Sequence, residues 1–323
     1  MKKIKLIDKG FGTKIKKGLV LTGNLNWDNG ATYKGALKSQ KQQIPHGYGI
    51  YFFPESEQWL SLGDKKKTKL HKVKSYVGDF KDGHFHGKGN FKSVGDYKYK
   101  GDFKKGRFHG IGRIEYSNGD IYEGDFVNDS KSGKGKWIFS DGDTYKGNFK
   151  KGRFHGKGRI EYSNGDIYEG DFINDKVSKG KMLYKNSGQK YIGEFNKNGA
   201  WDGQGKAISK IGQVYTGTFK NGKRHGYGYS KYKKNSYRGQ FVKNLRSGFG
   251  IFNFSDGGIY NGKWKNDTMH GKGTITETKG KKAGTVCSGI WKNGDMDGIY
   301  VFKSKSGNIH KELWKKDKFI KIV

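Results

Sequence analysis

The sequence predicts an all-β protein, an elongated single-layer antiparallel meander of repeated β-hairpins. Three observations predict it: an aromatic-x-Gly-x-aromatic motif recurs every 22 to 24 residues, apolar and polar residues alternate on both sides of it, and Asn-Gly or Asp-Gly pairs separate the alternating segments. Alternation with a period of two is typical of strands rather than helices. Glycine after Asn or Asp supplies the positive φ of a tight hairpin turn. Each repeat therefore predicts one hairpin.

The motif occurs nine times in near-regular succession. Its copies read YVGDF, YKGDF, YEGDF, YKGNF, YEGDF, YIGEF, YTGTF, YRGQF and YNGKW, and they begin at Tyr76, Tyr99, Tyr122, Tyr145, Tyr168, Tyr191, Tyr215, Tyr237 and Tyr260. Weaker copies begin at Tyr33, Cys287 and His310. The windows 104–129 and 150–175 match at 24 of 26 positions. A catalytic site is seldom needed twice so close together, so the duplication indicates a structural building block.

The alternation also assigns the two faces of each hairpin. One face collects rings and glycines, and the other collects charged side chains. Around residue 164 the first face is expected to hold Gly156, Gly158, Ile160, Tyr162, Tyr168, Gly170 and Phe172, and the second Lys157, Arg159, Glu161, Glu169 and Asp171. A glycine in a strand leaves a trough in which a ring of the neighbouring strand can lie. A chain with 54 glycines and only 32% hydrophobic residues can bury apolar area in this way.

The segments YKGDFKKGRFHGIG from Tyr99 and YKGNFKKGRFHGKG from Tyr145 resemble the MORN (membrane occupation and recognition nexus) repeat. The resemblance covers most of the chain, with departures at the ends and at residues 50–75. It implies a scaffold that organises membranes or partner proteins, in which any enzyme activity is carried by an additional domain. We expect no such domain here, because the repeats continue to His310.

Repeat regularity and charge divide the chain into five segments. They are degenerate repeats at 1–49, a basic inserted loop at 50–75, regular near-neutral repeats at 76–175, basic repeats at 176–315 and a tail at 316–323. The loop is expected to have Pro45 and Pro54 at its entrance. Of the net charge of +35, residues 1–75 carry +11, residues 76–175 carry +2 and residues 176–323 carry +22. The regular repeats are thus expected to pair opposite charges across strands, whereas the two ends are basic.

Six histidines precede a glycine of the repeat and suggest a ladder of metal sites. They are His46, His86, His109, His155, His225 and His270. Equivalent residues of successive hairpins lie two strands apart, roughly 9 to 10 Å, whereas two imidazoles on one zinc each need a nitrogen about 2 Å from it. We therefore expect these histidines to bond or pack at the hairpin turns, with no metal site and no cofactor.

Catalytic residues are not expected either. His155, Ser163 and Asp166 supply the residue types of a triad, but a triad needs one oriented base beside one activated hydroxyl in a pocket. Here these residue types recur as turn formers. The Gly-x-Gly pairs lack the GK[ST] continuation and the helix of a phosphate loop. Cys287 fills an aromatic position of the repeat and is expected to pack in the core.

A candidate binding surface lies in the basic C-terminal repeats. It comprises Tyr227, Tyr229, Lys231, Lys233, Lys234, Arg238, Lys243, Phe249 and Ile251, with Phe249 and Ile251 expected near Arg238 and Lys243. A second basic candidate in the inserted loop comprises Lys65, Lys66, Lys67, Lys69, Lys72 and Lys74. Rings among basic residues suit anionic lipid headgroups, a protein partner or stacking nucleic acid bases. Another part of the same chain covering this face is the structural alternative.

The sequence thus predicts a non-enzymatic scaffold that presents basic surfaces to anionic membrane lipids, partner proteins or both. One alternative is a purely protein-interacting or self-assembling ribbon that associates through its sheet edges, although residues 309–323 are expected to cap the last edge. Another is a nucleic-acid-associated protein, which the charge of +35 permits but no binding motif supports. No apolar run reaches the roughly 18 residues of a membrane span, and the N-terminus lacks a signal-type apolar region. We therefore expect a cytoplasmic protein, peripheral where it meets a membrane.

Overall fold

A computed structural model describes residues 5–6, 13–14, 19–28, 30–39, 41–53 and 73–323. The chain divides into two compact units, Met1–Ser163 (unit 1) and Asn164–Val323 (unit 2). The described residues form strands and turns and no helix. Within each unit the strands form an antiparallel meander of hairpins, which confirms the predicted fold class.

The described residues of unit 1 form fourteen strands. They are β1 Lys5–Leu6, β2 Thr13–Lys14, β3 Leu19–Val20, β4 Thr22–Asn26, β5 Thr32–Leu37, β6 Pro45–Phe52, β7 Val73–Lys81, β8 His84–Ser93, β9 Tyr97–Lys104, β10 Arg107–Tyr116, β11 Ile121–Val127, β12 Ser130–Ile138, β13 Thr144–Lys150 and β14 Arg153–Glu161. From β4 onward each strand pairs antiparallel with the next. Strand β1 pairs with β4, and β2 with β3 in a separate sheet.

Unit 2 contains fifteen strands. They are β15 Ile167–Ile173, β16 Lys176–Leu183, β17 Lys190–Phe195, β18 Trp201–Ile208, β19 Val214–Lys220, β20 Lys223–Tyr232, β21 Asn235–Val242, β22 Leu245–Asn253, β23 Gly258–Lys265, β24 Thr268–Glu277, β25 Val286–Lys292, β26 Asp295–Met296, β27 Gly298–Lys303, β28 Ile309–Lys315 and β29 Lys318–Ile322. They also pair in chain order, except that β25 pairs with both β26 and β27.

A row of glycines runs across the strands, one from the centre of almost every strand. In β9, β10 and β11, for example, Gly101 lies opposite Gly112, and Gly112 opposite Gly124. A Cβ at Gly112 would lie 2.4 Å from Cε2 of Tyr99, because the ring of Tyr99 fills the space above Gly101 and Gly112. The predicted trough for an aromatic ring is therefore confirmed.

Each motif tyrosine is tied to the backbone three residues further along its own strand. The hydroxyl of Tyr99 donates to the carbonyl oxygen of Asp102 at 2.8 Å, and that of Tyr260 to the carbonyl oxygen of Lys263 at 2.9 Å. Ten motif tyrosines, from Tyr33 to Tyr260, make this bond at 2.6 to 3.1 Å. The bond satisfies a buried hydroxyl and fixes the ring along the glycine row.

A second ring, which the sequence pattern did not single out, stacks on the tyrosine from the next strand. Tyr76 stacks on Phe85, Tyr99 on Phe108 and Tyr145 on Phe154, each pair with ring centroids 3.8 Å apart. In unit 2, Trp201 stacks on Tyr191 at 4.4 Å. Aromatic pairs add about 0.5 to 1.5 kcal/mol beyond area burial, so each hairpin builds its own small core on one face of the sheet.

A β-bulge follows this second ring in most repeats. Between β9 and β10, His109 lies opposite Asp102 and Gly112 opposite Gly101, so β10 has two additional residues, Gly110 and Ile111. The positive φ of Gly110, 61°, favours glycine. The equivalent Gly156 was expected on the ring face, and that prediction is wrong. Gly156 lies in the bulge with a φ of 68°, beside the Asn148 side chain on the opposite face.

The predicted range of the inserted loop, 50–75, overlaps the sheet at both ends. Strand β6 continues to Phe52, β7 begins at Val73, and Phe52 pairs with Ser75, so residues 50–52 and 73–75 belong to the sheet. Pro45 lies in β6 opposite Leu37 and not at the loop entrance, because its ring occupies the first position of the strand. Pro54 lies outside the described residues. At the other end of the sequence, β28 and β29 pair as one more hairpin.

Candidate anion-binding face

The side chains just before and just after each central glycine point away from the tyrosine rings, because successive side chains of a strand alternate between faces. In β18–β25 these positions form two rows, which we call the flanking rows. Strands β27 and β28 continue both rows, with Tyr300 and Glu312 at the positions where the other strands have glycine. One row holds Lys206, Thr216, Tyr229, Arg238, Ile251, Asn261, Thr274, Ser288, Val301 and Lys311, and the other Gln204, Thr218, Tyr227, Gln240, Phe249, Lys263, Lys272, Ile290, Ile299 and Leu313.

Five residues of the predicted binding surface lie together in the flanking rows. Arg238 is paired with Tyr229 on one side and with Ile251 on the other. Its guanidinium carbon lies 5.8 Å from the centre of the Tyr229 ring. Tyr227 and Phe249 belong to the other row, and they are 60% and 51% exposed. These residues therefore form one accessible cluster.

The predicted lysines separate into two groups. Lys231 is on the same strand as Tyr229, and Lys233 and Lys234 form the turn between β20 and β21. Lys243 lies in the turn at the other end of β21. The eight residues of β21 hold these turns about 27 Å apart, and Phe249 pairs with Lys263. The predicted lysines therefore do not form a single patch, because a meander places successive turns at opposite ends of its strands, and Lys243 lies in the turn that leads into β22, the strand of Phe249 and Ile251.

Several exposed residues of the flanking rows were missed by the sequence analysis. Lys263 pairs with Phe249, and Lys272 pairs with Ile290, which is 55% exposed. Ile299 of β27 is 53% exposed. The sequence signal that could have identified them is their place in the repeat, since each residue is next to the central position of its strand. They extend the predicted cluster across β22 to β27.

The flanking rows of these strands contain no Asp or Glu. The equivalent positions of unit 1 include Asp79, Asp102, Glu123 and Asp125. There the basic residues are paired: Nζ of Lys88 lies 2.6 Å from the Asp102 carboxylate, and Arg113 contacts Glu123. Strands β18–β25, β27 and β28 therefore present a different surface from unit 1 on the same backbone, whereas β15 and β17 of unit 2 keep Glu169, Asp171 and Glu194 beside their central glycines.

The residue before the second aromatic of the motif occupies what we call the clamp position. In unit 1, carboxylates at this position also form hydrogen bonds with the backbone of the bulges. Asp79 accepts the amide of Lys88 at 3.1 Å, Asp102 that of Ile111 at 3.1 Å, and Asp125 that of Lys134 at 2.8 Å. Burial opposes ionisation of Asp102, but hydrogen bonds from Lys88 and the Ile111 amide hold its pKa below the usual value. In unit 2 the clamp position holds Asp171 and then Glu194, which accepts the amide of Gln204 at 3.3 Å. From β19 onward it changes to Thr218, Gln240, Lys263 and Ile290.

The histidines and the cysteine have structural surroundings. Nδ1 of His46 accepts the amide of Asp82, and Nδ1 of His270 accepts that of Asn293, each at 3.4 Å, which is the predicted role at the turns. Among the described residues no three His, Cys, Asp or Glu side chains form a group that could hold a metal. Cys287 packs against the ring cluster of unit 2, and burial raises its pKa to about 12.

The remaining candidates are the triad residues Ser163 and Asp166 and the lysines of the second basic surface. The amide of Ser163 donates to the Asp143 carboxylate, and Asp166 accepts the amide of Lys185, so both residues support turns. Of the second basic candidate, Lys74 belongs to strand β7, and its carbonyl oxygen accepts the amide of Phe53 at 3.1 Å. The remaining lysines of that candidate lie outside the described residues, and they are Lys65, Lys66, Lys67, Lys69 and Lys72.

Comparison with known proteins identifies the class of this repeat. A profile of the MORN repeat matches ten segments, residues 44–56, 76–94, 99–121, 122–144, 145–167, 168–189, 191–214, 215–236, 237–259 and 260–280. These segments make up more than half of the chain. The chain therefore belongs to the MORN repeat family, whose repeats generally form non-enzymatic scaffolds that interact with proteins or membranes.

Individual relatives match only part of their own length. The chain is 39% identical over 71 residues to MORN repeat-containing protein 3 of Xenopus laevis, covering 20% of this chain and 30% of that protein. It is 29% identical over 114 residues to alsin of Rattus norvegicus, covering 33% of this chain and 7% of alsin. The chain thus spans less than a third of the length of these relatives.

Among solved structures, the SAS-4 (dCPAP) TCP domain of Drosophila melanogaster aligns with 63% of this chain and 90% of its own at 13% identity. The TM-score is 0.26, and a likeness of that size supports no conclusion about this chain. The part of the chain that the structure describes contains no helix that is long and apolar enough to cross a membrane.

Proposed function

We propose that the chain is a scaffold whose flanking rows in unit 2 bind an anionic membrane surface peripherally, on the cytoplasmic side. The observation that carries the proposal is the absence of carboxylates from these rows in the described strands, combined with exposed rings and basic residues. Arg238, Lys263 and Lys272 lie on the same face as Tyr227 and Phe249. This combination is typical of surfaces that meet lipid headgroups.

Electrostatics favours the flanking rows over the equivalent positions of unit 1 for this contact. A basic residue near an anionic leaflet contributes about 1 kcal/mol, and a carboxylate on the same face would oppose it. Lys88 and Arg113 of unit 1 already have carboxylate partners, and binding lipid would require breaking those ion pairs. The exposed rings of Tyr227 and Phe249 can lie at the headgroup level, where aromatic side chains are enriched.

Vesicle sedimentation of the full chain tests the proposal. We expect binding to phosphatidylcholine vesicles that contain phosphatidylserine and none to phosphatidylcholine alone. Added salt should weaken the binding steeply, because charges are screened beyond roughly 8 Å at physiological ionic strength. A nucleic acid shift assay run in parallel should show weaker association. No binding to the anionic vesicles would overturn the proposal in favour of a protein-partner scaffold.

Matched variants locate the contact, because equivalent positions exist in both units. Arg238→Gln and Phe249→Ser in unit 2 should each weaken binding. Their controls are Lys100→Gln, at the same motif position as Arg238, and Ile111→Ser, at the same position between two glycines as Phe249. Ile111 is 68% exposed, more than Phe249, so its side chain is equally accessible. Equal losses in the two units would contradict a site in unit 2.

A further inference from the structure

The bulge of each repeat directs one backbone amide toward the clamp position. In unit 1 the glycine of the bulge has positive φ, 59° at Gly87, 61° at Gly110 and 59° at Gly133. The next residue in each bulge donates its amide to a carboxylate at the clamp position. A carboxylate oxygen also lies where a Cβ on each of these glycines would be, within 2.4 to 2.7 Å. The bulge is therefore an anion site, which Asp79, Asp102 and Asp125 of unit 1 fill with their own carboxylates.

Strands β23 and β24 repeat this backbone but reverse the charge at the clamp position. The register shifts between Gly262 and Trp264, and Gly271 has a φ of 72°. The residue at the clamp position is Lys263, whose ammonium group can only donate hydrogen bonds. Its alkyl chain lies on the bulge, with Cδ 3.4 Å from a Cβ at Gly271. The amide of Lys272 therefore faces a basic side chain in place of a carboxylate.

We propose that this bulge binds a phosphate group at the place where unit 1 holds its Asp carboxylate. The phosphate would accept the backbone amide of Lys272 and the ammonium groups of Lys263 and Lys272, both of which are exposed. Amides beside a left-handed residue form concavities that suit anions, and lysine binds phosphate as a point charge. The site needs no carboxylate to be displaced.

The clamp position distinguishes this repeat from its neighbours. Lys263 is the only lysine at a clamp position among the repeats that the structure describes. In the neighbouring repeats, Thr218 and Gln240 carry oxygen acceptors at this position and Ile290 is apolar. Phe249 and Ile290 flank the two lysines and are 51% and 55% exposed. The ligand is a phosphate monoester or diester, either soluble or part of a lipid headgroup. The lipid source rests on the proposed membrane function.

The test compares two variants with the same charge change. Lys263→Asp restores the unit 1 arrangement, so the Lys272 amide should gain an internal acceptor and lose the external anion. Lys265→Asp removes the same charge from the same face of β23, next to the turn and away from the bulge. Titration of the full chain with inorganic phosphate, at constant ionic strength, is followed by the amide NMR signal of Lys272. We expect Lys263→Asp to weaken phosphate binding about tenfold or more, as loss of a charge-assisted hydrogen bond implies, and Lys265→Asp to leave it within about twofold.

Equal weakening by the two variants, or a phosphate response that is not centred on Lys272, would overturn the site. Anionic vesicles separate the two sources of phosphate. If Lys263→Asp impairs both phosphate and vesicle binding, a lipid phosphate at this site is supported. If phosphate binds at Lys272 while wild-type protein ignores vesicles, the site is supported with a soluble ligand and the membrane function fails. If vesicles bind both variants equally and phosphate does not reach Lys272, the site fails and the membrane function remains.

Discussion

The hairpin β9–β10 of unit 1 and the hairpin β23–β24 of unit 2 have the same backbone design and opposite charges at the clamp position. Both carry a two-residue bulge, and both have a tyrosine hydroxyl bonded to the carbonyl oxygen at the clamp position, from Tyr99 to Asp102 and from Tyr260 to Lys263. Only the first has a side-chain acceptor for the bulge amide.

The comparison shows which contacts are needed for the fold. The tyrosine holds the clamp residue through its backbone carbonyl, so the clamp side chain is not required for the bulge to form. The glycine row is required in both units, because the ring of Tyr99 covers Gly112 and that of Tyr260 covers Gly273. The clamp position is therefore where repeats can differ in charge while the sheet stays the same.

The largest effect should come from filling the glycine row, and it should be equal in the two units. A Cβ would lie 2.6 Å from Cε2 of Tyr145 at Gly158, and 2.6 Å from Cε2 of Tyr191 at Gly205. Gly158→Val and Gly205→Val should each lower the free energy of unfolding by about 1 to 3 kcal/mol, as overpacking does elsewhere. Thermal and denaturant melts measure the loss.

Lys206→Val is the control for the glycine variants. Lys206 adjoins Gly205 but is exposed on the opposite face, so the added branched chain meets no tyrosine ring. Its melt should stay close to that of the wild-type protein. An unchanged melt for either glycine variant would show that the ring does not need the trough, and a loss in one unit only would show that the two units are packed differently.

The fold was largely predictable because its signals are periodic. The motif tyrosines, the Gly-x-Gly pairs and the Asn-Gly turns fix hairpins, and Gly158 could be assigned to a ring trough from alternation alone. The bulge was not predictable from alternation, since Gly110 and Ile111 add two residues and leave the later pattern in phase. The stacking of Phe108 on Tyr99 was not predicted either, because the motif search followed only the aromatic residues on either side of the central glycine.

The candidate site was only partly predictable. Tyr229, Arg238 and Ile251 were recognised as ring and charge positions, and the register places them side by side. Lys263 and Lys272 were not predicted. Lys263 is notable because it occupies the position of the Asp102 carboxylate, and the bond from the Ile111 amide to that carboxylate is visible only in the three-dimensional structure. The net charge of each segment did not reveal this difference, because it counts the lysines and arginines of the regular repeats without showing that Lys88 and Arg113 are paired with carboxylates.

A smaller effect should follow from removing single clamp residues, and here the two units should differ. Asp102→Ala leaves the Ile111 amide and the Lys88 ammonium without their acceptor, which should cost about 1 to 2 kcal/mol. Lys263→Ala removes no hydrogen bond to the bulge, and we expect a change within about 0.5 kcal/mol, as for ordinary surface positions. Denaturant melts of both variants decide between these outcomes. Equal losses would mean that the clamp carboxylate does not stabilise unit 1.

The smallest effect is the pH dependence of the clamp. The hydrogen bond from the Lys88 side chain and that from the Ile111 amide keep the pKa of Asp102 below its usual value, against the effect of burial. A depressed pKa in the folded state means that the contribution is fully present above the unfolded value, about 3.9, and is lost as the pH falls through the folded value. The difference in melting temperature between the wild-type protein and Asp102→Ala should therefore narrow between pH 7 and pH 3, while that for Lys263→Ala stays constant. A difference for Asp102→Ala that is independent of pH would show that the ionised carboxylate is not what holds the bulge.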